Sequence, residues 1–255
     1  MEIDDLQKRL SALGFLGIHS YWAHIAANHE IWQRIATAEE QARQDKIIDA
    51  RLATAKIGRF VPMAKFDWKW PKIIPRNTIE ELLTLAFMAD RGNAILIGPN
   101  GVGKTMIAQN LAHSAVIRGK TALFCNAGAL LNDLSSATES HILERKLRRY
   151  SRFDLLVIDE LGYLSYATRH GDLLFQLIER RHEERSTVVT TNKPFSEWNT
   201  LFPNSACVTA LIDRLVQYGE IAVIDGDSYR LKQANERKEQ KHKKRTEPAP
   251  ENIPF

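Results

Sequence analysis

The chain has 255 residues, a formal net charge of +4 and 44% apolar residues, enough to bury the core of one large domain and a smaller one. Its two cysteines, Cys125 and Cys207, have no His or Cys neighbour at metal spacing, which excludes a zinc site and a disulfide framework and suits a reducing compartment. The acidic opening Met1-Glu2-Ile3-Asp4-Asp5 and the lack of any apolar run of membrane-spanning length argue against a secretory signal or membrane span, so a soluble, cytoplasmic protein is expected.

Residues 1–61 read as a small all-α domain. Leu6, Leu10 and Leu13 recur at helical spacing before Gly14. Trp22, Ile25, Trp32 and Ile35 continue the pattern, and a third stretch runs through Ile47, Ile48, Leu52 and Ala55. Residues 62–76, with Pro62, Pro71 and Pro75, read as a linker. Its aromatics Phe66, Trp68 and Trp70 are expected to pack on the next domain rather than to stack on bases. Across residues 77–232, short apolar runs at 94–97, 121–125, 155–158, 187–191 and 221–224 alternate with helical stretches. That alternation predicts an α/β fold, a five-stranded parallel sheet flanked by helices. Residues 233–255 are charged, lack an apolar face and are expected to be disordered; their cationic block either meets phosphate backbone or is merely solvated. No internal repeat is visible.

The first strand leads into Gly98-Pro99-Asn100-Gly101-Val102-Gly103-Lys104-Thr105, which fits G-x-x-x-x-G-K-[ST] at every fixed position. A strand before it and a helix from Met106 after it form the setting in which this motif means phosphate binding. The glycines let backbone N–H groups of residues 98–106 turn towards phosphate oxygens, and the helix N-terminus adds positive charge there. Lys104 is expected to reach the β- and γ-phosphates of ATP, and Thr105 to hold Mg²⁺ through its hydroxyl. A second apolar strand ends in Asp159-Glu160. Asp159 is expected to share the Mg²⁺ shell with Thr105, and Glu160 to act as base towards the attacking water. Such a base argues against a small-molecule kinase. Thr190-Thr191-Asn192 ends a third strand. Asn192 can bridge water and γ-phosphate, because its amide both donates and accepts, although Asn-Lys-Pro is also a turn signal. Arg214, Arg180, Arg181 and Arg185 read from sequence alone as paired or solvated arginines.

Taken together, residues 66–232 resemble the IstB-like transposition helper ATPases of the AAA+ class, close to DnaC helicase loaders and DnaA initiators. Besides the phosphate loop, the resemblance rests on several motifs of this sequence. They include Phe66-Asp67-Trp68, Asp159-Glu160-Leu161-Gly162-Tyr163, Arg181-His182-Glu183, Thr191-Asn192-Lys193-Pro194-Phe195, Glu197-Trp198, Asp213-Arg214-Leu215 and Gly226-Asp227-Ser228-Tyr229-Arg230-Leu231. The helical leading region is similar as well. The resemblance implies an ASCE-type P-loop domain without a C-terminal lid, hence without a second sensor, so that closure over ATP relies on the neighbouring subunit. It implies a homo-oligomer assembled along duplex DNA, with ATP at subunit interfaces, which recruits and stimulates a partner transposase. Asn192 would be the first sensor. Arg214 would be the arginine acting in trans, with Arg181 and Arg230 as further arginines considered for that role. The loop reads Pro-Asn-Gly-Val-Gly where many relatives have Pro-Pro-Gly-Thr-Gly, a departure at positions that act through backbone. Basic residues occur in the leading helices (Lys8, Arg9, Arg34, Arg43, Lys46, Arg51, Lys56, Arg59) and at Arg145, Lys146, Arg148 and Arg149, with acidic residues interleaved in both, a pattern that normally marks a solvated face; if they meet DNA, contacts are expected to be to phosphates, with little sequence preference. The alternatives are a DnaC-like helicase loader and a nucleotide-gated DNA-binding module that does not hydrolyse. An intact Mg²⁺ and water-activating set speaks against the second.

Overall fold

The computed structural model describes residues 3–163, 166–202 and 206–246. Between residues 53 and 54 the chain divides into two compact units. The first holds α1 (Ile3–Ala12), α2 (Trp22–Ala27) and most of α3 (His29–Ala55). Leu6, Leu10, Leu13, Ile18, Ile25 and Ala36 form its core, and Phe15 meets Trp32 edge to face at 6.1 Å. Arg9 ties α1 to α3 through Glu40 at 2.6 Å, and Arg43 donates to the Leu13 carbonyl at 2.9 Å. The two apolar stretches read after residue 28 are one helix, because no Gly or Pro interrupts residues 29–55 and Ala, Glu, Gln and Arg dominate them.

The second unit continues with α4 (Arg76–Thr84), β1 (Asn93–Ile97), α5 (Lys104–Ile117), β2 (Ala122–Asn126), α6 (Ala127–Ser135) and α7 (Ser140–Ser151). Then come β3 (Leu155–Leu161), α8 (Thr168–Arg181), β4 (Ser186–Thr191), α9 (Trp198–Leu201), α10 (Val208–Val216), β5 (Gly219–Val223) and α11 (Tyr229–Thr246). All five strands are parallel, in the order β2-β3-β4-β1-β5. The central strands β1, β3 and β4 are buried along nearly their whole length, as a sheet covered on both faces requires. Side chains alternate between the covers. Leu156, Ile158 and Val189 join the cluster with α6, α7, α8 and α10, while the neighbouring Leu155, Val157 and Val188 are buried outside it, on the face covered by α5.

Two regions differ from the sequence reading. The expected linker lies within the second unit, anchored on α5. Met63 N donates to Asn110 Oδ1 at 3.0 Å, and just ahead of the expected linker Gln109 donates to the Ile57 carbonyl at 2.8 Å, Asn110 donates to Val61 O and Phe60 stacks on His113 at 4.2 Å. The charged tail expected to be disordered from residue 233 is helical through residue 246 as part of α11. Lys, Glu, Gln, Arg and Ala are all good helix formers, so absence of an apolar face did not mean absence of a helix. Residues 247–255 lie outside the described residues. After β5, α11 is the only element among the described residues, and none of the described helices is long and apolar enough to cross a membrane.

Candidate nucleotide site

Strand order brings the motifs together. β3, β4 and β1 are adjacent, so their C-terminal ends set Asp159-Glu160, Thr190-Thr191-Asn192 and the loop from Gly98 side by side, about 4.8 Å apart per strand. This is where ligands bind in open parallel sheets. The loop is packed to shape. Gly101 (φ 85°) and Gly103 (φ 105°) are left-handed, and a Cβ on Gly103 would stand 2.5 Å from the Phe66 ring. Gly103 precedes α5 and has no side chain to cap it. The first intrahelical bond, Ile107 N–H to Gly103 O at 3.0 Å, leaves the N–H groups of Lys104, Thr105 and Met106 ahead of it at the positive end of the helix.

Lys104 is 5% exposed and donates to the carbonyls of Gly98 at 2.6 Å and Pro99 at 2.7 Å. Burial lowers its ammonium pKa to about 8, against the opposing pull of Asp159 and Glu160; the charge of Arg230 lowers it further. Thr105 Oγ1 donates to Asp159 Oδ1 at 3.2 Å, and Thr190 Oγ1 donates to the same oxygen at 2.5 Å. The Asp159 carboxyl is raised, chiefly by burial, while both threonine hydroxyls pull it back. Thr105 and Asp159 thus present oxygen donors side by side, which suits a hard divalent cation such as Mg²⁺.

Glu160 sits at φ 62°, a left-handed conformation unusual for a residue with a side chain. The β3–β4 register shifts between Ile158 and Leu161, so a bulge falls on Asp159-Glu160. Thr190 Oγ1 supplies the missing ladder partner, accepting from Glu160 N at 2.9 Å. Such a conformation costs on the order of 1–2 kcal/mol and re-aims one side chain out of the sheet. Asn126, at the end of β2, meets that side chain: its Nδ2 donates to Glu160 Oε2 at 2.8 Å. The same amide's oxygen accepts from Gly128 N at 2.9 Å and caps α6. Asn192 Oδ1 is a buried oxygen without a hydrogen-bond partner among the described residues, facing Gly162, where a Cβ would lie 3.0 Å away. Two participants escaped the sequence reading. Thr190 was noted only as part of a strand end. Asn126 fell one residue beyond the expected second strand, and a survey of polar residues at strand C-termini would have found it.

The arginines separate by burial. Arg181 is 1% exposed and spends its donors inside its own fold: Nε on Thr187 Oγ1, Nη1 on the carbonyls of Tyr150, Ser151 and Phe153, and Nη2 on Ser186 O. It does not reach a surface, which corrects its consideration as an arginine acting in trans. Arg180 pairs with Glu144 through two bonds, and Arg185 with Asp154. Arg214 is half-exposed and bonds Glu179 of α8 at 2.8 Å. Arg230 opens α11 and is exposed.

A model of the family described as IstB-like ATP binding protein matches residues 22–237. The ATP-binding protein named for insertion sequence IS21 in Pseudomonas aeruginosa is 36% identical over 195 residues, 76% of this chain and 74% of its own length. Its counterpart named for IS5376 in Geobacillus stearothermophilus is 34% identical over 210 residues, 82% of this chain and 84% of its own. In three dimensions, the DnaC helicase loader shares the fold at a TM-score of 0.50 and 22% identity, across 64% of this chain and 97% of that one.

Proposed function

Because the chain belongs to the family of IstB-like ATP-binding proteins, we propose that it hydrolyses ATP with Mg²⁺, assembles on duplex DNA and recruits or stimulates a partner transposase. The observation that carries this reading is the convergence of the phosphate loop, Asp159-Glu160 and Asn192 on three adjacent strand ends. Lys104 and the N–H groups of residues 98–106 hold the phosphates. Thr105 Oγ1 and Asp159 would hold Mg²⁺, which supplies positive charge to the phosphate oxygens. Glu160 takes a proton from the water that attacks the γ-phosphate, and its carboxylate is aimed by the bulge and by Asn126. Asn192 orients that water through its amide.

Arg214 belongs to the neighbouring subunit's site in this reading, and the nucleotide lies between two subunits. Duplex DNA is held through phosphates by exposed cations such as Lys8, Arg34 and Lys46 of the helical unit and Arg145 and Arg149 of α7. Arg9 and Arg43 are less suited, since both are engaged within the unit. A helicase loader has the same fold, but the relatives named for insertion sequences weigh towards transposition.

The test is sedimentation and negative-stain imaging of the chain and of Glu160→Gln with long duplex DNA, with and without ATP and Mg²⁺. Assemblies should need ATP, weaken steeply between about 50 and 200 mM salt, and persist in Glu160→Gln while those of the unsubstituted chain fade as ATP is consumed. A chain that stays monomeric and free of DNA under all these conditions overturns the assembly. Equal ATP turnover in Glu160→Gln overturns the role of Glu160.

A further inference from the structure

Asn93, the first residue of β1, carries a buried amide that the proposed function leaves unused. Its side chain spans three backbone groups of two other elements. Nδ2 donates to the carbonyls of Arg214 at 3.3 Å and Leu215 at 3.2 Å, and Oδ1 accepts from Thr187 N of β4 at 3.0 Å. Its backbone N–H donates to Tyr218 O at 2.9 Å, within the turn that leaves α10. Gly219 closes that turn, since a Cβ there would stand 2.4 Å from the Leu215 carbonyl oxygen. Arg214 and Leu215 lie in the last turn of α10, where carbonyls have no partner within the helix, so the amide is a cap supplied from another element. Two of its partners only accept and one only donates. A planar group with two donors and an acceptor matches all three; aspartate offers the acceptor alone and leucine nothing.

What the amide holds is the backbone of Arg214 itself, and Thr187 is the common reference. The Thr187 N–H goes to Asn93, while its Oγ1 accepts from Arg181 of α8, the helix whose Glu179 holds the Arg214 side chain at 2.8 Å. Backbone and guanidinium of Arg214 are thus both set from one residue of β4. β1 and β4 pair in register from Ala94–Val188 to Ile97–Thr191, and Asn93 meets Thr187 one step below that ladder. The phosphate loop and Asn192 follow the top of the ladder; the hold on Arg214 is at its foot.

We propose that Asn93 is a positioning residue, which sets Arg214 at the place from which it reaches the nucleotide of the neighbouring subunit. Asn93 touches no nucleotide. Its loss leaves the subunit's own site intact and spoils the site next door, because a small misplacement of a group that acts on the transferring phosphoryl is costly. This rests on the reading of Arg214 as an arginine acting in trans.

The test is mixing of full-length variants on duplex DNA, with ATP turnover as the readout. Asn93→Asp keeps the shape and the bond from Thr187 but turns a carboxylate on two carbonyls. Alone on DNA it should lose turnover about a hundredfold, while the separate subunit binds mant-ATP within about twofold of the unsubstituted chain. Mixed with Glu160→Gln, which binds ATP and keeps both Asn93 and Arg214, it should regain turnover about tenfold, since its own site then receives a well-placed arginine. Mixed with Arg214→Ala it should regain none, because both chains lend a defective arginine. If Asn93→Asp does not fold, Asn93→Ser, a smaller and neutral change, carries the same mixtures. Full turnover by the variant alone overturns the proposal. So does recovery with Arg214→Ala, which would place the defect in the variant's own site, or recovery with neither partner, which a general loss of structure would give. Arg214→Ala mixed with Glu160→Gln is the control; no recovery there would sink the trans role of Arg214 itself.

Discussion

Lys104 is held by two carbonyls of its own loop, and burial has brought its pKa down to about 8. Below that pH the side chain is an ammonium ready to exchange those carbonyls for phosphate oxygens; above it the site loses its cation. Affinity for mant-ATP should therefore fall about tenfold between pH 7 and pH 9. A flat profile over that range would show that the ammonium stays charged or does not touch phosphate. The loop residues were legible in the sequence because their work is done by backbone and by glycine, which a spacing motif records. Thr190 and Asn126 were not, because their roles depend on strand register. Thr190 serves both Asp159 and the Glu160 backbone only because β4 lies beside β3 with a bulge at that level.

Helix α8 ends in a residue that sequence could read only as one arginine among several. The last carbonyls of α7 lack partners within their own helix, and Arg181 meets two of them, with Phe153 O and the first two residues of β4. One guanidinium thus fastens the end of α7, the end of α8 and the start of β4. Arg181→Met should leave several buried oxygens unpaired and destabilise the fold by about 3 kcal/mol in urea unfolding. A stable, folded variant impaired only in assembled turnover would return Arg181 to an intersubunit role. At this scale the strands were legible to within a few residues, since buried parallel strands are unbroken apolar runs. The linker was misjudged because its prolines signal irregular backbone, not whether that backbone is packed. The hydrogen bond that anchors it, from Met63 N to Asn110 Oδ1, joins residues 47 positions apart.

For the proposed assembly the position of Arg214 matters most. Asn93 Nδ2 donates to the carbonyls of Arg214 at 3.3 Å and Leu215 at 3.2 Å, which fixes that turn of α10 at the start of β1. The phosphate loop leaves the other end of the strand, about 16 Å away for five residues. Arg214 is thus remote from its own loop, while its ion pair with Glu179 is half-exposed and open to competition. Arg214→Ala should bind mant-ATP normally as a separate subunit and lose turnover on DNA. Mixing it with Lys104→Ala, which retains Arg214, should restore part of that turnover, and a mixture without recovery would end the trans assignment. Sequence showed the arginine but not its distance from the loop, which follows from helix packing against the far end of the sheet.

Asn126 couples the chemistry to the scaffold in a further way. Its amide is flat and rigid, with one end on the Glu160 carboxylate and the other on the first N–H groups of α6. The two ends turn as a single lever. Swinging it off the carboxylate also uncovers the start of α6, at roughly 1 kcal/mol for a lost cap. The readiness of Glu160 and the order of a helix on the outside of the sheet are geared together through one side chain.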